Sequence, residues 1–182
     1  ENGELINTLK QDKASSSRPS ERFSDLTGWD HDCEASYGLI RVESLKQTGL
    51  QRNYTDSDRS LLCHLALLGR YQMVPELLFY KRIHPDMSTK VFSDWRGRMV
   101  WFGESYKKRI TFPHWLQFFH YLQMIHETRM PINERFRCYL HMCHWVFQES
   151  RWKNMIKDFL IPVKRKILSF KQNNASIDQA RS

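Results

Sequence analysis

The sequence predicts an all-α protein: a single compact bundle of about six or seven helices with a disordered tail at each end. Three observations predict it. Along most of the chain apolar residues recur every three or four positions, the pattern of helices that bury one stripe. Seven Gly and six Pro in 182 residues are few for a loop-rich sandwich. Several helical patterns also begin at an X-Pro step (Val74-Pro75, Phe112-Pro113, Met130-Pro131, Ile161-Pro162). Proline's missing N–H costs nothing in a helix's first turn. With 41% apolar and 13% aromatic residues there is material for one core.

The elements follow in chain order. Residues 1–21 are polar and include Ser15-Ser16-Ser17-Arg18-Pro19-Ser20. They cannot bury apolar area, so they read as a disordered segment ahead of a helical domain spanning 22–171. Residues 38–46 are ambiguous, because the alternation of Ile40, Val42 and Ser44 against Leu39, Arg41, Glu43 and Leu45 is not clean. A strand there would need a partner, and the sequence offers none. Thr55 with Asp58 resembles a capping box opening a helix that carries Leu61, Leu62, Leu65 and Leu68. Gly69 suits the left-handed position that ends it.

Pro75 is expected to open the next helix, with Leu77, Leu78 and Tyr80, ending near His84-Pro85. Residues 88–102 place Val91, Phe92, Trp95, Met99 and Phe102 near one helical face. After Pro113, the residues Trp115, Phe118, Leu122 and Ile125 form one stripe of a 3.6-residue helix. After Pro131, the stripe is Ile132, Phe136, Leu140, Cys143 and Phe147. Trp152, Ile156, Phe159 and Leu160 mark a shorter helix up to Pro162. Ile167, Leu168 and Phe170 lie on a last basic segment, and residues 172–182 read as a disordered tail. All the stripes are expected to be core.

Charge is unevenly spread. Residues 95–171 hold 15 Lys and Arg against 5 Asp and Glu, a local excess of +10, whereas residues 1–94 hold 12 against 14. The whole chain has a formal net charge of +8, which favours polyanionic partners and says nothing about fold. The basic stretch also holds five of the six Trp and eight of the eleven Phe. No apolar, uncharged run reaches the length of a membrane span, so none is expected. No basic-then-apolar leader opens the sequence. Four irregularly spaced cysteines read as free thiols in a reducing compartment.

The chemistry-bearing residues are few. Cys138, His141, Cys143 and His144 lie within seven residues. On a helix Cys138 and His141 share a face and could give zinc two of its four ligands, but Cys143 falls on the apolar stripe and no C-x₂-C pair exists. The expected reading is no metal and no cofactor, with Cys143 a small core residue. His84-Pro85-Asp86 has a carboxylate but lacks the second carboxylate and lysine that metal-dependent phosphoryl chemistry needs. There is no G-x-S-x-G and no Gly-rich phosphate loop, so no enzyme is expected.

What remains are cationic patches. Arg96, Arg98, Lys107, Lys108, Arg109, Lys164, Arg165 and Lys166 are expected to neutralise phosphates of RNA or DNA, with little sequence specificity. The expected protein is a basic helical module within a larger assembly, nuclear rather than cytoplasmic, or virus-encoded. The alternative is a protein-binding scaffold or matrix-like subunit that uses its aromatics as a groove for protein partners or as a seam for self-association.

Overall fold

A computed structural model describes residues 13–28, 33–52, 54–91, 98–100 and 112–160. The architecture is all-α, and no strand occurs among the described residues. In chain order there are α1 (Pro19–Thr27), a 3₁₀ turn (Cys33–Tyr37), α2 (Val42–Leu45), α3 (Ser57–Leu68) and α4 (Ser88–Val91). Next come α5 (Pro113–Glu127), α6 (Ile132–Phe147), a 3₁₀ turn (Gln148–Ser150), and helical residues 151–160, here α7. The helix α3 packs against α1, α5 and the first 3₁₀ turn, and α6 closes the bundle against α1 and α5.

The core is built around aromatic edges. Phe23 of α1 meets Tyr121 of α5 edge-on at 5.6 Å between ring centroids, and Tyr121 meets Trp145 of α6 the same way at 5.7 Å. Edge-to-face contacts set the positive rim of one ring against the negative face of the next. Leu26, Leu62, Cys63, Ala66, Ile125, Cys138 and Met142 fill the space around these rings and are at most 1% exposed. Residues 38–46 resolve as coil plus the single turn of α2.

The domain begins earlier than the sequence suggests. Residues 13–21 belong to the bundle: Ala14 is fully buried, α1 starts at Pro19, and Ser20 is buried. This polar stretch is held by hydrogen bonds instead of apolar area. The carboxylate of Glu134 on α6 accepts from the Ser20 N–H at 3.1 Å, the Ser20 hydroxyl at 2.6 Å and Arg18 Nε at 3.3 Å. Two of these bonds satisfy groups at the N-terminus of α1, where a negative charge is also favoured by the helix dipole.

Capping between helices recurs throughout. Arg22, only 4% exposed, donates to the carbonyls of Ala66 and Leu67 at the end of α3 and to those of Ser16 and Ser17. Arg59 donates to the Gly28 carbonyl just beyond α1, while Arg151 and the Trp145 indole donate to Thr27 at its last position. Asp158 of α7 accepts from the His114 backbone N–H at 2.9 Å and from its ring at 3.0 Å, at the start of α5. A helix end satisfied from elsewhere needs no cap of its own.

Two departures from sequence expectation occur at α3. Thr55 and Asp58 form no capping box: Asp56 is the N-cap with φ 66°, and the Thr55 hydroxyl is buried without a partner. Asp is among the few residues that tolerate this left-handed backbone. Gly69 is extended, with φ −159°, not left-handed; its N–H donates to the Leu65 carbonyl, and Arg22 meets the next two carbonyls, of Ala66 and Leu67. A third departure is larger. No helix follows Pro75; residues 70–84 are non-helical, and Leu77, Leu78 and Tyr80 are exposed. The segment is tied down at Tyr37, which stacks on Phe79 at 4.9 Å, and at Glu34, which pairs with Lys81. Of the expected helix over 88–102, α4 and residues 98–100 are described and helical, Met99 is buried, and the rest lies outside the described residues.

Candidate interaction surface

Helix α6 has two apolar faces. Going around it at 100° per residue, Glu134, Cys138, Met142 and Trp145 point to one side and are all buried. Ile132, Phe136, Leu140, Cys143 and Phe147 point to the other, close to diametrically opposite. This second stripe is the one expected from sequence to be core, and it faces solvent. Ile132 is 77% exposed, Phe136 61%, Leu140 53% and Phe147 73%, with Cys143 also exposed.

Packing accounts for the inversion. The buried face holds the side chain with the most bonds to make. The Trp145 indole donates to the Thr27 carbonyl, its ring meets Tyr121 and Phe118, and the Arg151 guanidinium lies 4.6 Å above it. Glu134 anchors the same face to α1 through Ser20. An aromatic with a partner for its polar handle outweighs a plain aliphatic stripe in choosing which side turns inward.

Helix α7 repeats the pattern. It buries Arg151, Met155 and Asp158, and leaves Trp152, Ile156, Phe159 and Leu160 exposed. Phe159 joins a surface aromatic group with Phe112 at 4.9 Å and Trp115 at 5.6 Å, and Trp115 in turn meets the exposed Phe119 at 5.9 Å. The stripes on α3 and α5 follow sequence expectation: Leu62, Leu65 and Ile125 are buried, and Trp115, Phe118 and Leu122 pack against the core.

The exposed charge of this part of the chain is mostly cationic. Among the described residues of 112–160, Arg129, Arg137, Lys153 and Lys157 are exposed, against Glu127 alone of the carboxylates whose burial is described. Glu134 and Asp158 are buried in the caps above. The bond to the Ser20 hydroxyl holds the Glu134 carboxyl below its usual range. Arg137 and His144 border the outward stripe of α6 on one side, and Arg135 borders it on the other. The internal caps therefore take up carboxylates, of which Glu134 also lies 3.9 Å from Arg137.

The cations singled out from sequence are mostly elsewhere. Arg96, Lys107, Lys108, Arg109, Lys164, Arg165 and Lys166 lie outside the described residues, as does the tail from 172. Arg98 is half-buried, and its Nε is enclosed without a hydrogen-bond partner. Arg151, counted in the basic stretch, is 2% exposed and serves as a cap.

Cys138 and His141 do share a face, but that face is packed on α1. The His141 Nε2 bonds to the Thr27 hydroxyl at 2.6 Å, and its Nδ1 lies 3.3 Å from the Ser24 hydroxyl. Burial pushes the Cys138 thiol up to about 12. No group of three or more metal-ligating side chains occurs among the described residues. Cys143 is exposed, which corrects its expected place in the core.

One cleft collects polar side chains. It lies between residues 48–54, α3 and α5, and is lined by Arg52, Tyr54, Ser60, His64, His120 and Gln123 among others. Here His120 Nδ1 bonds to the Tyr54 hydroxyl at 2.9 Å, which donates to Ser60 at 2.7 Å, while Arg52 donates to His120 Nε2 and to Gln123. Burial, reinforced by the Arg52 charge, pushes His120 down to about 4. A neutral ring donating at Nδ1 and accepting at Nε2 closes the network, so each group has its partner inside the protein. This is a structural clasp between α3, α5 and the loop before α3.

The chain matches no family model, no curated protein and no solved structure. Its function must therefore be argued from the surface itself. No helix among the described residues is long and apolar enough to cross a membrane.

Proposed function

We propose that this chain is a non-enzymatic protein-interaction module whose docking face is the outward apolar side of α6 and α7. The observation behind the reading is the double-faced helix. A helix apolar on two opposite sides belongs between two packed layers, and here one side is exposed, with no layer over it among the described residues. Ile132, Phe136, Leu140 and Phe147 are 53–77% exposed, so covering them would contribute roughly 4–8 kcal/mol before association costs, taking about 1.5–3 kcal/mol for a fully exposed side chain. A bundle that merely had to fold would gain nothing by keeping them apolar.

The test is a paired substitution, Phe136→Asp with Leu140→Asp, followed by thermal melting and dye binding. A free docking face predicts an unchanged melting temperature and reduced binding of an apolar dye. Loss of cooperative melting would place the stripe inside the fold and remove the reading.

The nucleic-acid reading stands second. The +10 excess over residues 95–171 supports it, with Glu134 and Asp158 withdrawn from the surface. On this reading Lys107–Arg109 and Lys164–Lys166 contact phosphates, and a nuclear location belongs with it. Titration of the chain against a single-stranded RNA homopolymer at several salt concentrations checks it. Phosphate contacts predict a steep fall of log K with log[salt], and absence of binding at low salt ends it.

A further inference from the structure

We infer that the outward stripe of α6 receives an acidic amphipathic helix from a partner protein. The inference rests on the docking face proposed above and adds the chemistry of its occupant. Shape is the first argument. Ile132, Phe136, Leu140, Cys143 and Phe147 are spaced 4-4-3-4, so they form a ridge about 22 Å long at 1.5 Å per residue. Ridges with that spacing interlock with the same spacing on another helix. No sheet edge exists among the described residues, so strand addition has nothing to extend.

Charge is the second argument. The exposed Arg137, 3.9 Å from the Glu134 carboxylate, stands on one border beside His144, and the half-buried Arg135, which donates to the Thr128 carbonyl, stands on the other. Beyond them Arg129, Lys153 and Lys157 are exposed. A partner helix with Asp or Glu flanking its apolar residues meets this border with opposite charge, which speeds encounter and fixes register. A second copy of this chain would bring the same arginines, and another +8, against their like. Nucleic acid satisfies the border cations but leaves the apolar ridge in water.

The probe is a displayed library of 21-residue helices with Leu at the first and fourth position of each heptad. Each flanking position is randomised between Glu and Lys. The library is selected for binding to the full chain. The stripe carries its own reporter in the Cys143 thiol. Cys138, on the opposite face, is buried and its thiol is pushed up to about 12, as are those of Cys33 and buried Cys63.

The expected result is at least tenfold enrichment of Glu over Lys at the flanks. Selected peptides should slow alkylation of Cys143 at least tenfold, and more at low salt than at high salt. Binding should vanish in the Phe136→Asp/Leu140→Asp variant. Enrichment of Lys, or of neither residue, overturns the inference. So does protection of Cys143 that rises with chain concentration alone, which would point to a second copy. Stronger protection by phosphatidylserine vesicles or by RNA overturns it as well. In each of those cases a double variant that still melts like the parent leaves the docking face standing. A double variant that fails to fold removes the face itself.

Discussion

Helices α3 and α6 belong to the same bundle and have similar lengths, yet they use their apolar residues in opposite ways. Helix α3 is wrapped on most sides: Leu62, Cys63, Leu65, Ala66 and Leu67 are buried, and so are Ser57, Ser60 and His64. Helix α6 buries a mixed face and leaves its clean aliphatic and aromatic stripe in water. The contrast separates two things that hydrophobic periodicity runs together. Periodicity says that a helix forms and where its stripe lies. It does not say whether this chain or another molecule covers the stripe.

The sharpest way to break the comparison is to empty each face in turn. Trp145→Ala removes a buried indole, its bond to Thr27 and the ring beneath Arg151. A loss of about 3–5 kcal/mol in denaturant unfolding is expected, the range for large aromatic deletions in cores. Phe147→Ala, on the opposite side and 73% exposed, should stay within about 0.5 kcal/mol of the parent. Equal effects would mean that both faces are core.

The caps between helices come next in size. Arg22→Leu leaves the Ala66 and Leu67 carbonyls buried without donors, and should cost about 2–4 kcal/mol. Glu134→Gln keeps the shape but loses the charge at the start of α1, and should cost about 1 kcal/mol. These caps also show where sequence reading stopped. The helices over Thr55–Gly69, after Pro113 and after Pro131 were legible, because local spacing and the X-Pro start decide them. The ends of α3 were not. At its C-terminal end the carbonyls of Ala66 and Leu67 are met by Arg22, some 45 positions away, and at its start the left-handed Asp56 takes the N-cap position expected of Thr55.

The docking stripe was itself legible as a stripe; its direction was not. It depends on the Trp145 indole finding Thr27 and on Glu134 finding Ser20, both contacts over more than a hundred residues. A mixed stripe with Trp at one end and Glu at the other was the one available sign of a second face. The failed helix after Pro75 has a different cause. Leu77, Leu78 and Tyr80 follow helical spacing, but the segment is non-helical and is tied to Tyr37 and Glu34 of the first 3₁₀ turn.

Acid weakens both the clasp around α3 and the His141 contact with α1. Burial lowers His64 and His141, and takes His120 to about 4. Their neutral forms are favoured in the folded protein. Their stabilisation is thus fully present above the unfolded value near 6.5 and is lost as pH falls toward the folded values. Glu134 adds a second acid limb, because its folded value is depressed: its contribution fades only as pH drops below about 4.3. Melting temperature measured from pH 7.5 to 4.5 should decline before Glu134 titrates, and His120→Gln should flatten the part of that decline nearest pH 4.5. The smallest expected effect is at Gly69. Its backbone is extended and an added Cβ would meet nothing within 4 Å, so Gly69→Ala should be neutral or stabilising by up to about 1 kcal/mol.

The central claim is that α6 has a face the bundle does not use. Its most direct measurement is the unfolding free energy of a chain in which Ile132, Phe136, Leu140 and Phe147 are all changed to Gln. The predicted result is a cooperative transition within about 1 kcal/mol of the parent, each exposed site contributing little. A loss of several kcal/mol, on the scale of emptying a core, would contradict it.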